Sequence, residues 1–194
     1  MSRDPEITRL LEAHRVACAS ATGAVRGLFD RSHDALATPG RPNRSLEPET
    51  IPVCRHLDKA LGAAAPGAVQ ELADCLAGLA PRLAWKRREG IAYSDPGFPD
   101  GHANAVLVGA GGLEEHRDVR LGVSLVAPRV TYPDHRHPPE EGYLVLSAGC
   151  WRQHHGEWFE RASGETVHNV ANIWHAMRAG PVPLLAMWML WTGA

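Results

Sequence analysis

The sequence predicts a mainly β fold, a sandwich or barrel of short strands, with a helical portion at its amino terminus. Three observations carry that prediction. Apolar residues recur at helical spacing through residues 1–83, short apolar runs broken by glycine and proline take over from residue 84, and 194 residues suit one core better than two. The helical portion (1–83) and the β portion (84–194) are therefore expected to form a single compact unit.

The helices come first in the chain. Asp4-Pro5 has the form of an N-cap followed by proline at the first helical position, and Ile7, Leu10, Leu11, Val16 and Cys18 then recur at roughly helical intervals. A turn-rich stretch from Thr38 to Pro48 precedes a second helix, which opens between Thr50 and Pro52 and runs to Leu61. A third opens near Pro66, aligns Val69, Leu72, Cys75, Leu76 and Leu79 on one face, and stops at Pro81. All three are amphipathic and need an apolar surface to cover.

Strands are expected at Ala105–Val108, Val119–Ala127, Gly142–Ser147, Gly164–Val170 and Leu184–Leu190. Turn signals such as Gly109 to Gly112 and His155-Gly156 separate them. Strands this short and closely spaced belong to all-β sandwiches and barrels rather than to parallel α/β sheets. The chain has no internal repeat.

Composition narrows the function. A 44% hydrophobic and 22% charged chain is globular in type. A net charge of -2 supplies no basic field for nucleic acid or an anionic membrane, so the expected partner is a small molecule. The first twenty residues mix charges and lack the apolar core of a signal peptide, and no segment has the length of a membrane span. Cys18, Cys54, Cys75 and Cys150 form no CxxC pair, which argues against a zinc ribbon or a disulfide scaffold. They read as reduced, mostly buried thiols of a cytoplasmic protein.

Six of the eleven histidines fall between His135 and His175. Within the run from Tyr132 to Gly149, His135, His137, Glu141 and Tyr143 stand at even separations, so one extended strand would send them to the same face unless Pro138-Pro139 interrupts it. Two imidazoles and a carboxylate form a first shell for zinc, iron, manganese, cobalt or nickel. His175, several strands further on, supplies a closing ligand. Glu140 has the opposite parity and is expected to face solvent, and His154, His155 and His168 lack sequence partners and read as structural. Trp151, Trp174, Trp188 and Trp191 surround the motifs. Most should be core, yet aromatic faces also recognise sulfonium or quaternary cations.

This pattern resembles the cupin superfamily. His135-x-His137, three residues, then Glu141 follows the first cupin motif, although Gly149 comes one residue late and Arg129 stands where a glycine usually opens it. Gly164-Glu165-x-Val167 followed by His175 follows the second motif loosely, without its usual Pro-x-Gly. The resemblance covers roughly residues 119 to 192. It implies a double-stranded β-helix, or jelly roll, of metal-binding type.

More narrowly, the chain resembles the cupin dimethylsulfoniopropionate lyases. The carriers are the run from Tyr132 to Tyr143, the segment His175-Ala176-Met177, and the tryptophan-rich Met187 to Trp191, with Trp85-Lys86 and Tyr93 matching more loosely. The resemblance implies a divalent metal on His137, Glu141, Tyr143 and His175, with Tyr132 and His135 lining the pocket. The general cupin pattern instead gives His135 to the metal. It further implies β-elimination of dimethylsulfoniopropionate to dimethyl sulfide and acrylate, with Tyr143 or Tyr132 as the base. Trp188 and Trp191 are the candidate rings for the cationic head. The implied substrate is a small zwitterion or carboxylate, and a homodimer is compatible with the pattern. Two other readings remain open at this stage: another metal cupin enzyme, such as a dioxygenase or an isomerase, and a non-catalytic metal or ligand sensor.

Overall fold

The computed structural model describes residues 2–193. Its helices precede its sheets, apart from a two-residue strand at Arg41–Pro42 that joins the larger sheet. Helix α1 (Pro5–Ala17) opens as expected, with the Asp4 carboxylate accepting from the Glu6 amide at 2.9 Å and Pro5 in the first turn. It ends in a turn at Cys18, and a separate helix α2 (Gly23–Leu36) follows, which the sequence pattern did not resolve from α1. Val16 lies 45% exposed, because the covered stripe of α1 runs through Ile7, Leu10, Leu11, His14 and Ala17 and leaves it off that face.

The second expected helix changes pitch along its length. It is a 3₁₀ turn from Pro52 to His56 and an α-helix, α3, from Leu57 to Leu61. Helix α4 (Ala68–Leu79) buries Val69, Leu72, Leu76 and Leu79, then tightens into a 3₁₀ turn containing Pro81. A one-turn helix α5 (Phe98–Gly101) leads into the sheets.

Eleven strands build two sheets: β1 (Arg41–Pro42), β2 (His102–Val108), β3 (Glu114–Glu115), β4 (Val119–Val126), β5 (Thr131–His135), β6 (Glu140–Ser147), β7 (Gly149–Gln153), β8 (Phe159–Arg161), β9 (Thr166–Asn169), β10 (His175–Arg178) and β11 (Leu184–Trp191). The larger sheet has the order β1-β3-β2-β4-β11-β6-β9 and the smaller β5-β10-β7-β8. Nearly all pairs are antiparallel. The fold is therefore mainly β with helices at the amino terminus, built as two facing sheets rather than a ring closed by hydrogen bonds. All five expected strands are present within a few residues. Strands β1, β3, β7, β8 and β10, none longer than five residues, were not foreseen from the apolar runs, and β5 was expected only as part of a longer strand continuing through His137 to Tyr143.

Strand alternation divides the molecule into two cores. On β11, Leu185, Met187 and Met189 face the helices, while Leu184, Ala186, Trp188 and Leu190 face the smaller sheet. The same parity holds on β6, where Leu144 and Leu146 join the helical side, and Tyr143 and Val145 the inter-sheet side. Helix α2 comes close to β6 at Gly142, where a Cβ atom would stand 2.7 Å from the Phe29 ring. The four cysteines are free, as expected, but only Cys18 is buried and the other three are partly exposed.

Candidate metal centre and its cavity

The residues expected to share one strand do not share one. Pro138 and Pro139 break the extension: β5 ends at His135 in the smaller sheet and β6 begins at Glu140 in the larger. His137 lies on the connection between them, pinned by its carbonyl accepting from the Asn172 amide at 2.9 Å. Convergence comes instead from the two sheets meeting. His175 opens β10 directly opposite His135 on β5, and Glu141 points inward from β6.

One ring nitrogen from each of His135, His137 and His175 lies within 4.8 Å of the other two. Backbone carbonyls set the tautomers. Nδ1 of His135, His137 and His175 donates to the carbonyls of Pro133 (2.9 Å), Pro139 (3.0 Å) and Ile173 (3.0 Å), and because a carbonyl only accepts, each Nε2 keeps its lone pair. Glu141 Oε2 stands 3.4 Å from His137 Nε2 and 3.2 Å from His175 Nε2. His175 Nε2 is buried without a hydrogen bond of acceptable geometry. A buried lone pair without a donor, beside two further imidazoles and a buried carboxylate, fits a divalent metal.

The electrostatics agree with that donor set. Burial would raise the Glu141 carboxyl, but the positive charge that the His137 and His175 rings carry when protonated holds it well below the ordinary carboxylate range; with both rings neutral, a bound cation would have to supply that charge. Burial, with the neighbouring His175, lowers His135 to about 3, so this imidazole stays neutral. The buried Asn169 donates to Glu141 Oε2 at 2.9 Å and accepts from Gln153 Nε2 at 2.7 Å. Its place follows from register, since Asn169 on β9 is the direct partner of Glu141 on β6.

Beside this cluster opens a cavity of about 160 Å³, lined by Tyr132, His135, His137, Glu141, Tyr143 and Trp188 among others. That is below the roughly 300 Å³ at which drug-sized pockets begin, so it suits a small ligand. Tyr132 stacks on His135 with centroids 4.2 Å apart and also meets the His102 ring, tilted, at 4.1 Å. Burial raises both phenols, Tyr132 and Tyr143, above the usual tyrosine range, and the Glu141 charge pushes the same way. Trp188 reaches the cavity because its cross-strand neighbour is Gly122, where any Cβ would collide with the indole.

Some expected residues lie elsewhere. Trp191 has the opposite parity to Trp188; it packs against the helical core with the Arg31 guanidinium 5.4 Å over its ring, so it does not line the cavity. Glu140 is not simply solvent-facing, because it pairs with Arg31 of α2 and, at 2.6 Å, with His168. His154 and His155 sit in a turn at positive φ. Arg88, Asn104, Arg120 and Ser124 line the cavity and were not anticipated. The one available signal was alternation, since Asn104 on β2 and Arg120 and Ser124 on β4 are polar members of otherwise apolar strands.

Comparison with known proteins places this architecture. The dimethylsulfoniopropionate (DMSP) lyase family model matches residues 25–186. DddL of Cereibacter sphaeroides, named as a candidate dimethylsulfoniopropionate lyase, is 29% identical over 167 residues, covering 84% of this chain and 70% of the relative. The crystal structure of DMSP lyase DddQ from Ruegeria pomeroyi DSS-3 superposes with a TM-score of 0.80 at 19% identity, covering 97% of this chain and 92% of that one. A chain from the crystal structures of the DMSP lyases RdDddP and RnDddQII gives 0.73 at 24% identity, with coverage of 96% and 92%. These two structures show a shared fold.

Proposed function

The chain belongs to the dimethylsulfoniopropionate lyase family, and from that premise we propose that it cleaves this substrate to dimethyl sulfide and acrylate at a metal centre formed by His135, His137, Glu141 and His175. The observation that carries the site assignment is the set of three carbonyl-locked imidazoles aimed at one point beside a buried carboxylate. His135 is included because its ring nitrogen stands with those of the other two histidines. A divalent ion bound there supplies a Lewis acid that polarises the substrate carboxylate and a positive charge that lowers neighbouring phenol pKa values.

The chain's own groups do the rest. A tyrosinate of the cavity, Tyr143 or Tyr132, takes the proton on the carbon next to the carboxylate. The electron pair of that C–H bond becomes the carbon–carbon double bond, and the C–S pair leaves with sulfur as neutral dimethyl sulfide. No strong acid is needed for such a leaving group. Stacking of Tyr132 on His135 and its tilted contact with His102 fix its ring, and packing of Tyr143 near Trp151, with centroids 6.3 Å apart, does the same for the second candidate. Donor type alone leaves zinc, iron, manganese, cobalt and nickel as alternatives. Of the two tryptophans expected for the cationic head, Trp188 lines the cavity and Trp191 does not; since the Trp188 ring already carries the Arg120 guanidinium 5.6 Å from its centroid, the Tyr132 and Tyr143 rings are the lining faces left for the sulfonium.

The test is dimethyl sulfide in the headspace above purified protein reconstituted with each metal in turn, alongside metal content of the His135→Ala, His137→Ala, Glu141→Ala and His175→Ala variants. Dimethyl sulfide from wild type and metal loss in all four variants are expected. Unchanged metal content in the four variants overturns the site, and absence of dimethyl sulfide with every metal overturns the activity.

A further inference from the structure

Two guanidinium groups, Arg88 and Arg120, face the cavity with no carboxylate to neutralise them. Arg120 projects from β4 at the level of Leu190 and, across it, Glu141. Its Cζ lies 5.6 Å over the Trp188 ring, and its Nε is buried and finds no acceptor among the described residues. Arg88, exposed at the rim, likewise has no ion-pair partner among them, whereas Arg3, Arg31, Arg82, Arg87 and Arg152 all pair with carboxylates. The cavity's single lining carboxylate, Glu141, is already engaged by His137, His175 and Asn169.

Such an arrangement is unfavourable in an empty cavity. A half-buried guanidinium without an acceptor loses hydration, and its like-charged neighbour adds repulsion. Both costs vanish when an anion enters, because a planar guanidinium offers parallel N–H donors that match a carboxylate. The same two charges repel a cation, so they disfavour a sulfonium entering at this wall and orient the ligand end to end.

We propose that Arg120, seconded by Arg88, is the specificity-determining element that reads the substrate's carboxylate. It thereby restricts the site to sulfonium compounds carrying an anionic end. This rests on the dimethylsulfoniopropionate lyase reading of the cavity. A carboxylate has two oxygens and several lone pairs, so contact with the arginines is compatible with polarisation by a bound metal.

The experiment uses metal-loaded protein and compares dimethylsulfoniopropionate with its uncharged-end carboxamide in wild type, Arg120→Gln, Arg120→Lys and Arg88→Gln. Arg120→Gln is expected to raise KM for the acid roughly 10- to 100-fold, the range of a hydrogen bond to a charged group, with metal content retained. The preference for acid over amide should shrink by a similar factor. Arg120→Lys should restore part of it, and Arg88→Gln, at an exposed position that folding does not depend on, should give a smaller loss of the same kind. KM and acid preference within about twofold of wild type in both glutamine variants, or a fall confined to kcat, overturns the proposal.

If wild type releases no dimethyl sulfide, the lyase reading fails separately, and calorimetric titration with propionate decides the arginine site. Propionate binding that is lost in Arg120→Gln supports it; equal affinity in the two proteins overturns it.

Discussion

Asn169→Ala isolates a single hydrogen bond to the candidate metal centre. Asn169 Nδ2 donates to Glu141 Oε2 at 2.9 Å, while its Oδ1 accepts from Gln153 Nε2. The alanine variant deletes the first contact but leaves Gln153 bonded to the His168 carbonyl at 2.6 Å, so the loss falls mainly on Glu141. A hydrogen bond to a charged group contributes about 1.5–3 kcal/mol. At about 1.4 kcal/mol per tenfold, metal affinity should fall roughly 10- to 100-fold, the usual range for partners that orient metal ligands. Stability should drop by only about 1–2 kcal/mol, a few degrees in melting temperature for a chain of this size. The assay is metal competition against a chromophoric chelator, with circular dichroism melting of the same samples. Metal affinity within about twofold of wild type in a folded variant would falsify the assignment of Glu141 as a ligand held by Asn169.

At equal metal occupancy, Tyr143→Phe should lower dimethyl sulfide release at least about 10²-fold if Tyr143 is the base, and a collapse confined to Tyr132→Phe transfers the role to Tyr132. Gly122→Ala places a Cβ within 2.5 Å of the Ala105 carbonyl oxygen and into the Trp188 indole, so it should cost about 1–3 kcal/mol and alter tryptophan emission; an unchanged urea midpoint would contradict the packing described. His33, hydrogen-bonded to the buried His14 at 2.9 Å, is lowered to about 4 by burial and by the Arg15 charge. A depressed histidine means that the unfolded chain takes up the proton first, so stability present above about pH 6.5 is lost as pH falls toward 4. Between pH 7 and 5 His33 should account for about 2 kcal/mol of lost stability, and urea titrations should show a flatter pH slope in His33→Gln.

The sequence by itself determined a helical amino-terminal portion before the main run of strands, five of those strands, and the histidines and glutamate that come together at the site. Those features are encoded locally: apolar spacing in α1 and α4, alternation in β4, β6 and β11, and histidines whose number and spacing exceed what packing requires. Strand β10 was not read from the sequence, and its place follows from pairing with β5 and β7. Tertiary structure alone decided how His135, His137 and Glu141 meet, because Pro138-Pro139 carries the chain from one sheet to the other. It separated Trp188 from Trp191, since strand parity says that the two differ but not which side is the cavity. It also brought Asn169 to Glu141 and Arg120 to Trp188, contacts set by cross-strand register and by hydrogen bonds between residues distant in the chain. Local spacing fixes which way a side chain points; which partner it meets depends on the pairing of strands, and that is a property of the whole fold.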